Sequence, residues 1–164
     1  MLLDKTAGRL RSGPASELRR PGIAAAAWRA ALALIWCVFL FVCTCTYNFD
    51  RFIGHGDIHF IRNPYPQWQE LLDPFPSRLS RSWALQKIGH FTGFFVLAAI
   101  LAFRLRQRWH AALAFAFSFG YAAATELLQL YFFRDGRLSD LIFDSAGILL
   151  AIWLCLRRRN GRLR

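Results

Sequence analysis

Ionisable residues set inside apolar segments constrain this chain more than any other feature. Three such segments lie between Lys87 and Gly147, and each carries its ionisable groups at one end only. Lys87-Ile-Gly-His90-Phe91 opens the first, Glu126-Leu-Leu-Gln129 lies near the close of the second, and Asp140-Leu-Ile-Phe-Asp144-Ser-Ala-Gly147 opens the third. If the segments are antiparallel membrane helices, all six polar residues fall in one leaflet. An unpaired carboxylate at that depth costs several kcal/mol, so each needs a partner or a wet cavity.

The basic balance of the chain points the same way. A net charge of +11 in 164 residues can signal nucleic acid, but here the arginines sit at the ends of apolar runs. That placement matches lipid headgroups and excludes a nucleic-acid role. A hydrophobic content of 55% is above ordinary globular usage, as a membrane protein requires. Cys37, Cys43, Cys45 and Cys155 all lie inside apolar runs, where thiols act as small apolar groups, so no disulfide framework is expected.

Four spans are expected, at about 30–47, 90–103, 111–133 and 138–156, because a hydrocarbon core of about 30 Å takes about 20 helical residues. Ile23 to Ala27 extend the first span inward, and Arg29 near that end can reach the headgroups. Residues 1–22 are polar and basic and read as a disordered cytoplasmic tail; residues 157–164 read as a second basic tail. Arg19-Arg20 fits a twin-arginine signal poorly, and the apolar run is too long for a cleaved leader. Residues 48–86 form a long outer loop, with a short helix over Gln67 to Asp73 resting on the membrane surface.

Lys and Arg flanking the segments set the orientation. The N-terminal tail with Arg29, the 104–108 turn and the C-terminal tail hold fourteen of them, against seven on the other side. Both termini are therefore expected in the cytoplasm. The fold expected is all-α, a multi-pass bundle of four transmembrane helices in the plasma (inner) membrane, with its polar cluster facing outward.

Helical spacing gathers that cluster. Asp140, Asp144, Gly147 and Ala151 share one face, with carboxylates at the outer end and small residues below for close helix contact. Glu126 and Gln129 share a face with Ala122 and Ala123, and Lys87 and His90 share one with Phe94 and Leu97. Arg134 and Arg137 lie on the same side as possible partners. Polar groups can simply bridge membrane helices, at about 0.6 to 2 kcal/mol per contact. Charge weighs against that as the whole account, because Ser or Asn would bridge at lower desolvation cost.

Taken in order, Lys87-x-x-His90-Phe91, Glu126-x-x-Gln129, an arginine in the next turn, and Asp140-x-x-x-Asp144-x-x-Gly147 resemble the VanZ-like membrane proteins. Arg134 and Arg137 are both candidates for that arginine, and Asp144 stands where the family often has Asn. The resemblance implies a multi-spanning envelope protein, in a family whose name-giving member is linked to low-level teicoplanin resistance. It implies no biochemical activity.

Two functions compete on this reading. The first is a non-enzymatic envelope protein in which Lys87, His90, Arg134 and Arg137 hold an anionic lipid-linked or amphiphilic glycopeptide ligand, oriented by Glu126, Asp140 and Asp144. The second is an intramembrane enzyme on a lipid-linked substrate, with His90 and the carboxylates in acid–base or metal chemistry. No nucleophile motif or phosphate-binding glycine loop accompanies them, so no catalytic residue, cofactor or metal is assigned. A transporter would need an internal repeat or oligomerisation, and the sequence shows no repeat. His55, Asp57 and His59 alternate as metal ligands can, but Gly54 and Gly56 beside them favour a surface loop. His110 and the Phe115, Phe117, Phe119 run are expected at the interface or in packing.

Overall fold

Long runs of Ala, Leu, Ile and Phe with few internal glycines propagate as helix, and the computed structural model contains four such helices. It describes residues 23–73, 81–103 and 108–161. The tail 1–22, the prolines Pro74 and Pro76, the arginines Arg104 and Arg106, and residues 162–164 lie outside the described residues. Helix α1 spans Ile23–Cys45, α2 Phe49–His55, α3 Arg81–Ala102, α4 Arg108–Leu130 and α5 Asp140–Gly161, with a short 3-10 turn at Trp68–Leu72. No strand occurs among the described residues.

Three of these helices, α1, α3 and α4, are long and apolar enough to cross a membrane. Helix α5 is as long, with 22 residues, but Asp140 and Asp144 at its start and three arginines near its end shorten its apolar stretch. All four long helices leave large apolar side chains exposed, among them Leu34 and Ile35 on α1, Ile88 on α3, Phe117 on α4 and Ile142 on α5. Water does not tolerate so much apolar surface, whereas lipid does.

Paired contacts give the register. Lys87 meets Asp140, His90 meets Asp144, and a Cβ on Gly147 would stand 2.2 Å from the Phe91 carbonyl oxygen. The numbers rise together, so α3 and α5 run parallel, with α4 returning between them. On α1, Arg29 donates to the Phe103 carbonyl at 2.9 Å and Trp36 Nε1 to the Gly93 carbonyl at 2.9 Å. Those numbers run oppositely, so α1 is antiparallel to α3. Tyr121 on α4 donates to the Cys37 carbonyl of α1 at 2.6 Å. The core between them is formed by Leu40, Phe94, Leu97, Ala98, Ala122, Ile148 and Ala151.

Several boundaries differ from the sequence expectation. Helix α3 begins at Arg81 rather than near His90, because Arg81 to Lys87 are helix-compatible residues without Pro or Gly. Lys87 and His90 therefore lie in its second and third turns instead of opening it. Helix α4 ends at Leu130, short of Phe133. The Gln129 carbonyl accepts from both Phe132 and Arg134, and Phe133 takes a φ of 52°, the left-handed geometry that closes helices. Glu126 is then four residues from the helix end, about 6 Å in rather than about 10 Å. Helix α5 starts at Asp140, whose charge suits a helix N-terminus, and continues through the arginines to Gly161.

Within the expected 48–86 loop, the described residues 48–73 are more built than a loop. Asn48 caps α2 by accepting from the Arg51 N–H, and Gly56, with φ 73°, ends it by donating to the Phe52 carbonyl. The following chain then docks on the α4–α5 turn. Asn63 donates from its backbone to the Tyr131 carbonyl at 2.7 Å and from its side chain to the Leu130 carbonyl at 3.1 Å. Leu138 N–H donates to Leu71 at 3.0 Å, and Phe41, Phe60 and Phe132 form a ring cluster. The expected short helix at Gln67 to Asp73 is the 3-10 turn.

Candidate functional site

At the end of the bundle where α1 and α4 finish and α3 and α5 begin, the polar residues converge. Glu126, Gln129, Asp140 and Asp144 are fully buried, and Lys87 and His90 nearly so. Lys87 Nζ is ion-paired with Asp140 Oδ2 and lies 5.6 Å from the Trp83 ring centre. His90 Nδ1 faces two carboxylates, Asp144 Oδ1 at 3.1 Å and Glu126 Oε1 at 3.5 Å. Gln129 Nε2 donates to Glu126 Oε1 at 3.4 Å. Six of the eight residues expected in the cluster thus converge, as the Lys87–Asp140 pair and as a second group in which His90 lies between Asp144 and Glu126 and Gln129 donates to Glu126.

Small residues allow this convergence. Gly147 lets α5 approach the α3 backbone one turn below Asp144, and Gly136 does the same for the α4–α5 turn. A Cβ on Gly136 would stand 2.1 Å from the Glu126 carbonyl oxygen, so the turn folds directly over Glu126. There the Arg137 backbone N–H donates to Glu126 Oε2 at 2.8 Å. Arg137 thus serves the site through its backbone, while its side chain pairs with exposed Asp135 at 3.2 Å.

Arg134 and Arg137 are the cations left over. Arg134 Nε and Arg137 Nε and Nη1 are buried and have no hydrogen-bond partner among the described residues. Burial pulls the Arg134 guanidinium below its ordinary value, against the opposing charges of Asp135, Asp50 and Glu126. Burial, then the Asp135 charge, pushes Glu70 of the 3-10 turn above the usual carboxylate range, while Arg137 pulls it back.

Beside the cluster a cavity of about 290 Å³ opens between α1 and α3. Trp36, Leu40, Thr44, Phe52, Gly89 and Phe94 are among its walls, and His90 is the residue it shares with the polar network. Gly89 keeps it open, since nothing lies within 4 Å of the position its Cβ would take. The α1 side of this cavity was not legible in the sequence, because Trp36 and Thr44 look like any other residues of an apolar span. Its one hint was Gly89, lying between Lys87 and His90.

His55, Asp57 and His59 are exposed and lie around the left-handed Gly56, in keeping with a surface stretch. All four cysteines are free thiols. His110 stacks on Trp109 at the opposite end of the bundle.

A helical bundle with apolar flanks and buried charge pairs defines a membrane protein with a buried polar site. The VanZ/LLP1 family matches residues 28–159, nearly the whole described chain. A relative in Bacillus subtilis (strain 168), the uncharacterized membrane protein YwnJ, is 34% identical over 131 residues, covering 78% of this chain and 91% of the relative. No solved structure matches. The chain belongs to the VanZ-like family.

Proposed function

We propose that this protein is a multi-pass plasma-membrane protein of the cell envelope that binds an amphiphile with an anionic head. In this reading α5 is a fourth span, both termini are cytoplasmic and the polar end faces outward. The orientation rests on the Lys and Arg count. The fourth span rests on α5 lying parallel to and packed against α3, which is itself long and apolar enough to cross. One observation carries the binding reading: His90 belongs both to the wall of an apolar cavity and to a buried charge network. Ligand sites are mostly apolar, with a few converging polar groups.

The cations divide by availability. Lys87 and His90 are already committed to carboxylates, so they position one another instead of meeting a ligand charge. Arg134 and Arg137 keep buried nitrogens without partners and suit a phosphate or carboxylate head. Arg134 lies close enough to Asp50 to feel its charge, toward the same α1–α2 corner that walls the cavity. A lipid-linked envelope intermediate or an amphiphilic glycopeptide has this chemistry, and family membership makes a contribution to teicoplanin-type tolerance the corresponding cellular role.

The test is binding of an anionic brominated lipid to reconstituted protein, read by tryptophan quenching. Gly89→Leu fills the cavity and is expected to weaken binding at least tenfold in a protein that stays folded. Arg134→Gln is expected to abolish the preference for anionic over neutral lipid. Unchanged quenching in both variants contradicts the reading. A second reading, an intramembrane enzyme on a lipid-linked substrate, is favoured by the approach of His90, Glu126 and Asp144 beside the cavity. Turnover of such a substrate that is lost in Glu126→Gln distinguishes it.

A further inference from the structure

The geometry points to a divalent transition-metal site formed by His90 Nδ1, Glu126 Oε1 and an Asp144 carboxylate oxygen. This goes beyond the amphiphile reading and does not depend on it. These three residues come from three helices, and one donor atom from each lies within 4.8 Å of the others. All three are buried. The distances from Nδ1 to its two carboxylate oxygens are 3.1 and 3.5 Å. Donors at about 2.0–2.1 Å from a tetrahedral ion stand about 3.3 Å apart. The observed separations bracket that value.

A hydrogen bond alone accounts for less of this arrangement. One Nδ1 proton satisfies one carboxylate, and the other remains at 3.5 Å from the same nitrogen. Asp144 Oδ2 and Gln129 Oε1 are buried and have no partner among the described residues. Charge adds an independent argument. Asp140 is balanced by Lys87, which leaves Glu126 and Asp144 as two buried carboxylates beside a histidine. One divalent ion neutralises both, with neutral imidazole as the third ligand and the ring proton on Nε2, which is buried with no partner among the described residues.

The donor set selects the ion. One imidazole and two carboxylates suit zinc or manganese, whereas magnesium and calcium prefer all-oxygen sites and copper(I) prefers sulfur. The cavity wall at His90 gives a route in. Arg137 N–H on Glu126 Oε2 fixes the carboxylate's orientation, as outer partners of metal ligands do, and leaves Oε1 toward His90 with only the long 3.4 Å hydrogen bond from Gln129 Nε2.

The experiment uses the full chain in detergent, stripped with chelator and titrated with Zn2+, Mn2+ and Mg2+ by equilibrium dialysis. Cobalt(II) serves as the spectroscopic probe. We expect one saturable equivalent of Zn2+ or Mn2+ per chain, with Mg2+ left unbound at the same concentrations. The cobalt spectrum should show nitrogen and oxygen ligation with no thiolate charge-transfer band. His90→Ala and Asp144→Asn should each weaken binding at least tenfold, with helicity checked by circular dichroism. If His90→Ala does not fold, Asp144→Asn carries the comparison, since it keeps the shape of the side chain. The double variant His55→Ala/His59→Ala should retain the equivalent. Absence of a saturable equivalent overturns the proposal. So does loss of binding in the His55/His59 variant with retention in Asp144→Asn, or equal binding of Mg2+.

Discussion

The two halves of this bundle hold their helices together by different means. In the half toward Phe103 the contacts are apolar side chains, small residues and neutral hydrogen bonds onto helix carbonyls, such as Trp36 to Gly93 and Tyr121 to Cys37. In the half toward Asp140 the same helices are joined by Lys87–Asp140 and by His90 between Glu126 and Asp144. Both arrangements position α3 against its neighbours, yet only the second removes five ionisable groups from water. The first half shows that this sequence can pack membrane helices without buried ion pairs among the described residues. Adhesion alone therefore does not account for the ions in the other half, which is the reason for proposing a ligand there.

The sharpest way to break the comparison is at Gly147, where both halves depend on one close approach. Gly147→Leu should leave no monodisperse folded protein in detergent, and Gly147→Ala should cost about 3 kcal/mol in unfolding, because a Cβ there meets the Phe91 backbone. Wild-type stability in Gly147→Ala would mean that α3 and α5 are farther apart than described.

Next in size is the ion pair. Lys87→Met alone should cost about 3–5 kcal/mol, since it strands the Asp140 carboxylate in a dry site. The double variant Lys87→Met/Asp140→Leu should recover most of that loss, to within about 1 kcal/mol of wild type. Denaturant unfolding of the three proteins checks this. A double variant as unstable as the single one would make the pair a structural necessity and weaken the contrast.

Hydrogen bonds onto helix carbonyls in the other half are expected to matter less. Tyr121→Phe, which deletes the hydrogen bond to the Cys37 carbonyl, should cost about 1 kcal/mol by thermal unfolding. Replacing Arg29 by Gln, at its exposed contact with the Phe103 carbonyl, should shift stability by less than about 0.5 kcal/mol. A larger loss in either case would show that the apolar half relies on its polar contacts more than the comparison allows.

The cluster was legible from sequence because helical period and charge both survive in one dimension. Asp140, Asp144 and Gly147 share a face by spacing alone, and the geometry places all three against α3. Pairing was not legible, because which cation meets which carboxylate depends on register between helices 53 residues apart. The ends of helices are poorly marked in the sequence for a related reason. Leu130 ends α4 partly because Asn63, 67 residues away, takes its carbonyl, and no local signal announces such a partner. Arg137 illustrates a further limit: charge and position single out its side chain, but its backbone N–H is what reaches Glu126.

Glu126→Gln in a deletion strain, scored for both folding and tolerance to a panel of envelope-active antibiotics, tests the central claim most directly. The account predicts a variant that reaches the membrane at wild-type levels and retains its helices, because Gln keeps an acceptor for the Arg137 N–H, yet fails to restore tolerance. Tolerance restored to the wild-type level by Glu126→Gln would contradict it and return the buried charges to a purely structural role.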